Sequence, residues 1–164
     1  NVPSLLALPY LEYPYLDAEI YANTRRFLLS ASNPSFKQGT NEWTGPVAGI
    51  GSPHMQARIR NNIWPMGLAI EALTEESRTR ATIITEQLVN ATAGTGWMHE
   101  SFDAGNPKKF TRSWFCWADS LFAELVLRIL NETDSAENCL SHQSYRILEW
   151  RDPVNVPGGI YAAE

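Results

Sequence analysis

The chain has 164 residues, 44% of them hydrophobic and 19% charged, which gives it the size of one domain and enough apolar side chains for a core. Its net charge of -5 makes nucleic acid or an anionic membrane surface an unfavourable main partner, because both are themselves negatively charged. No apolar run approaches the roughly 18 residues that a membrane-spanning helix needs. We therefore expect one domain, with no nucleic acid and no membrane as a partner.

The start of the chain is apolar and aromatic, but prolines interrupt it. Pro3, Pro9 and Pro14 predict an ordered loop with at most a short helix, since proline blocks a helix interior. Asp17 is a typical N-cap residue, and apolar residues with helical spacing follow it, which predicts a first helix over about 18–31. The first residues lack a signal-peptide pattern and an initial Met, so we interpret the chain as processed or cut from a longer protein.

The middle of the chain alternates between a glycine-rich segment and helical patterns. Residues 32–58 are rich in Gly, Pro, Ser and Asn, which predicts a long loop of the kind that is often functional. A second helix is predicted over about 62–73, with Pro65 in its first turn. Thr74 is expected to cap a third helix that ends near residue 90.

The strongest helical pattern covers about 113–131, after a polar and aromatic loop. Trp114 and Trp117 belong to its apolar stripe, so we expect both in the core. Residues 134–164 are polar and predict little regular structure. Since no alternating strand pattern and no internal repeat is evident, the sequence predicts an all-α fold.

Three loops join glycine or proline to polar and aromatic residues at helix ends: residues 1–10, 49–55 and 92–115. At one rim of a helical fold such loops would form a small-molecule site. The histidines His54, His99 and His142 lack the spacing of a metal-binding motif, and the two cysteines form no metal pattern. We therefore expect neither a metal nor a cofactor.

Glu100 lies in the stretch GWMHESF, between Trp97 and Phe102. A glutamate in such surroundings is either at the rim of a core or held in a pocket to do chemistry. Glycosidases use two carboxyl groups, one as acid and the other as base or nucleophile, and Glu100 fits one of these roles. No second carboxyl group has an equally aromatic setting among the candidates Asp17, Glu42, Asp103 and Asp119. The residues alone therefore identify one of the two carboxyl groups that a glycosidase needs.

Five segments, taken together and in order, resemble a known family: NVPSLLALPYL, GIGSPHM, IWPM, TAGTGWMHESF and NPKKFTRSWFCWADSLFAEL. They are similar to glycoside hydrolase family 125, the metal-independent exo-α-1,6-mannosidases, from residue 1 to about residue 130. The resemblance implies part of an (α/α)6 barrel of six helix pairs. It also implies hydrolysis of α-1,6-linked mannose with inversion, so the expected partner is a mannose-containing oligosaccharide.

The resemblance implies roles for individual residues. The family's general base is the Glu of its His-Glu-Ser motif, which is Glu100 here, and His99 and the neighbouring aromatic residues would fix it. The expected substrate-binding residues are Asn1, His54, Trp64, Trp97, His99 and Arg112. For several of them a structural role is the alternative: Asn1 as an ordinary terminus, His54 pinning a turn, Trp64 in the core, and Arg112 holding a loop.

The chain also departs from the family. The family's general acid is an aspartate upstream of the matched segment, and the residues that precede Asn1 in the family motif are missing. We therefore interpret residues 1–133 as the C-terminal portion of such a barrel, whose partner would be the upstream part of the same barrel, and residues 134–164 as an irregular extension.

Two other classes of protein remain alternatives: a non-catalytic sugar-binding or structural helical protein, and a glycan-active barrel of the α-glucosidase type. The sequons at Asn90 and Asn131 agree with a secretory, fungal-like setting, and a cytoplasmic, bacterial-like setting is the alternative.

Overall fold

The computed structural model describes residues 5–135, with side chains as far as residue 131. Within this part the helices are α1 (Ala18–Leu28), α2 (Pro65–Leu73), α3 (Arg78–Ala91) and α4 (Cys116–Ser135). The strands are β1 (Phe36–Asn41), β2 (Gly45–Ile50), β3 (Asn62–Ile63), β4 (Ser101–Asp103) and β5 (Asn106–Thr111). A single turn of 3-10 helix covers Pro53–Met55.

The all-α prediction is wrong, because the described residues also form two small antiparallel sheets. The first is the hairpin β1–β2, in which Phe36 pairs with Ile50, inside the segment predicted as a loop. The second has the order β3–β4–β5 and lies in part between the last two helices. These strands are short and rich in Gly, Pro, Asn and Lys, and they lack apolar alternation, so local propensity does not predict them. Pairing forms them, within the hairpins β1–β2 and β4–β5 and over a long range between β3 and β4.

The helix ends differ from the predictions by a few residues. Asp17 caps α1 as predicted, since its Oδ1 accepts a hydrogen bond from the Ile20 N–H at 2.9 Å. The predicted position of Pro65, in the first turn of α2, is confirmed. Ser77 rather than Thr74 caps α3, because its hydroxyl oxygen accepts from the Arg80 N–H. The Thr74 hydroxyl instead donates to the Ile70 carbonyl oxygen at the end of α2, at 2.7 Å.

The core lies around α2, which packs against α3, α4 and β2 and is buried along nearly its whole length. On helix α4, Ala118 and Leu125 face this core. The prediction that Trp114 and Trp117 are core residues is wrong, because they are 57% and 66% exposed. Trp114 precedes α4, and Trp117 lies one helical position, about 100°, away from the buried Ala118.

No helix in residues 5–135 is both long and apolar enough to cross a membrane. Helix α4 ends at Ser135, a few residues beyond its predicted end near residue 131. The rest of the predicted extension, and Asn1, lie outside the described residues.

Candidate functional site

The antiparallel order of the second sheet brings three predicted site residues to one edge. In such a sheet the end of β3, the start of β4 and the end of β5 lie side by side. Trp64 directly follows β3, Glu100 directly precedes β4, and Arg112 directly follows β5. The sheet therefore gathers residues that are up to 48 positions apart in the chain.

Glu100 is held at this edge by its backbone and by its side chain. Its N–H donates to the Thr111 carbonyl oxygen at 3.1 Å, which extends the β4–β5 pairing by one step. Its Oε2 accepts a hydrogen bond from the Arg112 Nε–H at 3.2 Å. The Glu100 side chain is 14% exposed and that of Arg112 is 64% exposed, so the carboxylate is sheltered but lies near the surface.

Arg112 has a strained backbone, with φ at 53°. For a residue with a long side chain this left-handed conformation costs about 1–3 kcal/mol, and such strain is concentrated at functional sites. The bend sends the chain from β5 toward α4 and places the guanidinium beside Glu100. The same guanidinium lies over the Phe115 ring, with Cζ 5.6 Å from the ring centroid.

His99, which directly precedes Glu100 in the sequence, is buried, with 1% of its surface exposed. Its ring stacks on Phe110 at 3.7 Å between centroids. Nδ1 lies 2.9 Å from the Ser113 carbonyl oxygen, and Nε2 lies 3.3 Å from that of Thr92. Burial lowers the pKa of His99, while the carbonyl oxygens around it and the charge of Asp119 partly oppose that shift. Because His99 is buried, we expect it to hold the Glu100 backbone in place rather than to contact a sugar directly.

Met98 is fixed by two hydrogen bonds from the start of α4. Its N–H donates to Asp119 Oδ1 at 2.9 Å, and its carbonyl oxygen accepts from the Phe115 N–H at 2.8 Å. From the sequence, Asp119 was considered only as a candidate second carboxyl group, and its hydrogen bond with the Met98 N–H was missed. An acidic residue in the first turn of the helix that follows the loop is the signal that could have found it.

His54 is exposed, on a loop anchored by the buried side chain of Asn62. Asn62 Oδ1 accepts from the Ser52 N–H at 2.8 Å, and Nδ2 donates to the carbonyl oxygens of Ser52 and Ile59 at 3.2 and 3.0 Å. Asn62 pairs with Asp103 in β4, so the His54 loop is tied to the strand that follows Glu100. Sequence reasoning missed Asn62 as well, because nothing local distinguishes it from Asn61.

The two predicted tryptophans differ in exposure. Trp97 is 48% exposed, whereas Trp64 is half-buried and its indole Nε1 is buried without a hydrogen-bond partner in the described part of the chain. In residues 5–131 no group of three or more His, Cys, Asp or Glu side chains could hold a metal ion. The site therefore contains the oriented carboxylate of Glu100, the neighbouring guanidinium of Arg112 and exposed aromatic surface. These groups suit the binding of a polar organic ligand and acid–base chemistry on it.

The sequence matches the family described as metal-independent alpha-mannosidase (GH125) over residues 1–127. The meiotically up-regulated gene 157 protein of Schizosaccharomyces pombe is 46% identical over 131 residues, which are 79% of this chain and 24% of that protein. A solved Streptococcus pneumoniae structure, from a description of metal-independent alpha mannosidases, is a non-productive substrate complex with alpha-1,6-mannobiose. It is similar with a TM-score of 0.70 and 46% identity, over 80% of this chain and 29% of that one.

This chain spans about a quarter of the length of the curated relative that it matches. The matched residues 1–127 are well over half of the chain and include both sheets and the start of α4. The chain therefore belongs to glycoside hydrolase family 125, the metal-independent α-mannosidases.

Proposed function

We propose that this chain is an inverting exo-α-1,6-mannosidase, or the portion of one that carries the general base, and that Glu100 is that base. One observation carries the proposal: the Glu100 carboxylate is sheltered at the sheet edge and oriented by Arg112 at 3.2 Å. Membership of the family supports the reaction class, and the mannobiose bound to the Streptococcus pneumoniae relative supports the substrate class.

An inverting glycosidase needs two carboxyl groups on opposite faces of the sugar, roughly 6.5–9.5 Å apart. The base takes a proton from a water molecule as that water attacks the anomeric carbon, while the acid protonates the departing glycosidic oxygen. Arg112 bonds Oε2 of Glu100, so Oε1 is the atom that receives the proton. We place the general acid on another part of the family fold, which the resemblance puts upstream of the matched segment.

The other predicted site residues take supporting roles in this proposal. Trp97 offers an exposed aromatic face for a sugar ring, and Trp64 lies at the same edge of the sheet as Glu100. His54, exposed on its anchored loop, contacts sugar hydroxyl groups. The resemblance implies the same role for Asn1, which lies outside the described residues. His99 fixes the peptide that carries Glu100, and Arg112 orients the carboxylate while its exposed guanidinium contacts the substrate.

The experiment compares α-1,6-mannobiose hydrolysis by this chain alone, by the intact fission-yeast relative, and by that relative with Gln at the position aligned with Glu100. We expect no turnover by this chain alone, because the acid is supplied elsewhere. In the relative, kcat should fall by about 10²–10⁴ with KM nearly unchanged, since general-base assistance is worth about that much.

NMR of the first product should show β-mannose, as inversion requires. An α product, or a Gln variant that retains most of its activity, would exclude Glu100 as an inverting base. A relative with no glycosidase activity at all would favour the non-catalytic sugar-binding alternative. The aligned Asp103→Asn change is the matched control, because Asp103 is a carboxylate on β4, the strand that Glu100 precedes, and it accepts hydrogen bonds from the N–H groups of Gly105 and Asn106.

A further inference from the structure

Residues 92–97, which we call the TAGTGW loop, connect α3 to the stretch that carries Glu100. Ala93, Gly94 and Gly96 in this loop all have left-handed backbone angles, with φ at 51°, 85° and 75°. Glycine adopts such angles freely, but they are unfavourable for alanine. Local preference therefore does not set the shape of the loop, which depends on the contacts that hold it.

The hydroxyl of Thr95 makes the central contacts of the TAGTGW loop. It donates to the Thr92 carbonyl oxygen at 2.8 Å, and its oxygen accepts a hydrogen bond from the Trp97 N–H at 3.3 Å. The Thr95 N–H donates to the same Thr92 carbonyl oxygen at 3.0 Å. Thr92 is buried at the end of α3. Because a hydroxyl can donate and accept at the same time, this one group joins a fixed point of the fold to Trp97.

Thr95 also lies against His99. Its Oγ1 is 3.5 Å from His99 Nε2. The His99 ring is buried and stacks on Phe110 of β5 at 3.7 Å between centroids, so it forms a rigid support. The Thr95 hydroxyl therefore connects Trp97 to the residue that directly precedes Glu100.

Glu100 itself is held by other partners. Its N–H donates to the Thr111 carbonyl oxygen, and its Oε2 accepts from the Arg112 Nε–H. Neither contact involves Thr95. Loss of the Thr95 hydroxyl is therefore expected to release Trp97, which is 48% exposed among the described residues, and to leave the Glu100 carboxylate in place.

We propose that Thr95 is a positioning residue of the candidate site, whose hydroxyl holds the Trp97 backbone so that the indole ring is placed for stacking against a mannose ring. The inference rests on the proposed function, which supplies the contact between Trp97 and the sugar. It adds that sugar affinity depends on Thr95, whereas proton transfer at Glu100 does not. The two effects separate in kinetics, because lost binding raises KM and a lost base lowers kcat.

The experiment prepares the intact fission-yeast relative with Thr, Ser or Val at the position aligned with Thr95. Valine has nearly the shape of threonine but no hydroxyl. With Val, KM for α-1,6-mannobiose should be about three- to tenfold higher than with Thr, and kcat should change less than about twofold. Serine keeps the hydroxyl, so its KM should lie within about twofold of that with Thr.

The matched control is Val at the position aligned with Thr82. The Thr82 hydroxyl donates to the Arg78 carbonyl oxygen at 3.0 Å within α3, away from the TAGTGW loop. Its loss should leave KM unchanged.

A double-mutant cycle tests whether Thr95 acts through Trp97. The relative carries Trp or Ala at the position aligned with Trp97, each combined with Thr or Val at the position aligned with Thr95. Val should raise KM in the presence of Trp and by less than about twofold in its absence, because coupled residues are not additive. Increases that multiply overturn the proposal. So do a KM that Val leaves unchanged, and a Ser variant as impaired as the Val variant.

This chain provides a second readout that needs no activity. Labelling with 5-fluorotryptophan gives a fluorine NMR resonance for each of the six tryptophans, and Trp97→Phe assigns that of Trp97. Thr95→Val should move this resonance, and Thr95→Ser should leave it in place; a resonance that Val does not move overturns the proposal. A relative without mannosidase activity refutes the proposed function together with this inference. An active relative whose KM is indifferent to Val refutes the role of Thr95 alone.

Discussion

The sheet edge around Glu100 and the helix α1 show two ways of holding a segment in place. Glu100, His99 and Met98 each have hydrogen-bond partners within this chain, and two of these partners, Thr92 and Thr111, are buried. Helix α1 has no buried residue and is held mainly by the contacts of Arg25 and Tyr21. Contacts among residues 5–135 therefore fix the geometry of the first region closely, whereas the same part of the chain covers little of the second. The difference can be tested by removing one contact at a time.

The largest loss is expected for Asn62→Ala. The change removes three buried hydrogen bonds and leaves the Ser52 N–H without its partner, which costs about 2–4 kcal/mol of unfolding free energy. Urea denaturation measures it. Asn61→Ala is the control, because the Asn61 side chain makes one exposed bond to the Gln38 carbonyl oxygen and should matter little. Equal losses for the two variants would show that Asn62 does not anchor the His54 loop.

Asp119→Ala should cost about 1–2 kcal/mol, because the Met98 N–H loses a charged acceptor. Asp119→Asn should restore most of the stability, since its amide oxygen can accept the same bond. It also removes the charge next to Oδ2, an oxygen that is buried without a partner in the described residues. Thermal unfolding of both variants measures this, and an Asn variant as unstable as the Ala variant would contradict the fastening role.

His99 makes stability depend on pH. Burial holds its pKa below the ordinary value of about 6.5, so the unfolded chain binds the proton first as pH falls. Stability is therefore complete above about pH 6.5 and is lost below it, by at most about 1.4 kcal/mol per pH unit, until the folded pKa is reached. Denaturant midpoints between pH 7.5 and 5 measure this slope. His99→Gln should reduce it, and a slope that stays the same in this variant would contradict the role of His99.

The smallest loss is expected at α1. Arg25→Met keeps the apolar stem of the side chain but removes its bonds to Thr74, Glu71 and Glu75, at a cost of about 1 kcal/mol. Hydrogen exchange should become faster in α1 and stay unchanged in β4 and β5, because local opening follows local contacts. Arg26→Met, which removes only an exposed bond to Asn23, is the control. Equal acceleration in both regions would show that they unfold as one unit.

The sequence by itself determined the elements that depend on neighbouring residues. The cap at Asp17, the proline at the start of α2, and the positions of the helices to within a few residues follow from local propensity and from helical spacing. It also singled out Glu100, and the segments that resemble the family identified the family that the comparison then showed.

Only the tertiary structure decided the rest, because these strands lack the apolar alternation by which a sequence predicts a strand. Their pairing alone defines them, within the hairpins β1–β2 and β4–β5 and over a long range between Asn62 and Asp103, and this overturned the all-α prediction. The exposure of Trp114 and Trp117 depends on which side of α4 meets the core, and their apolar character cannot specify that. Asn62 and Asp119 matter for what they bond across the fold, since their hydrogen-bond partners are set by three-dimensional packing and not by neighbours in sequence.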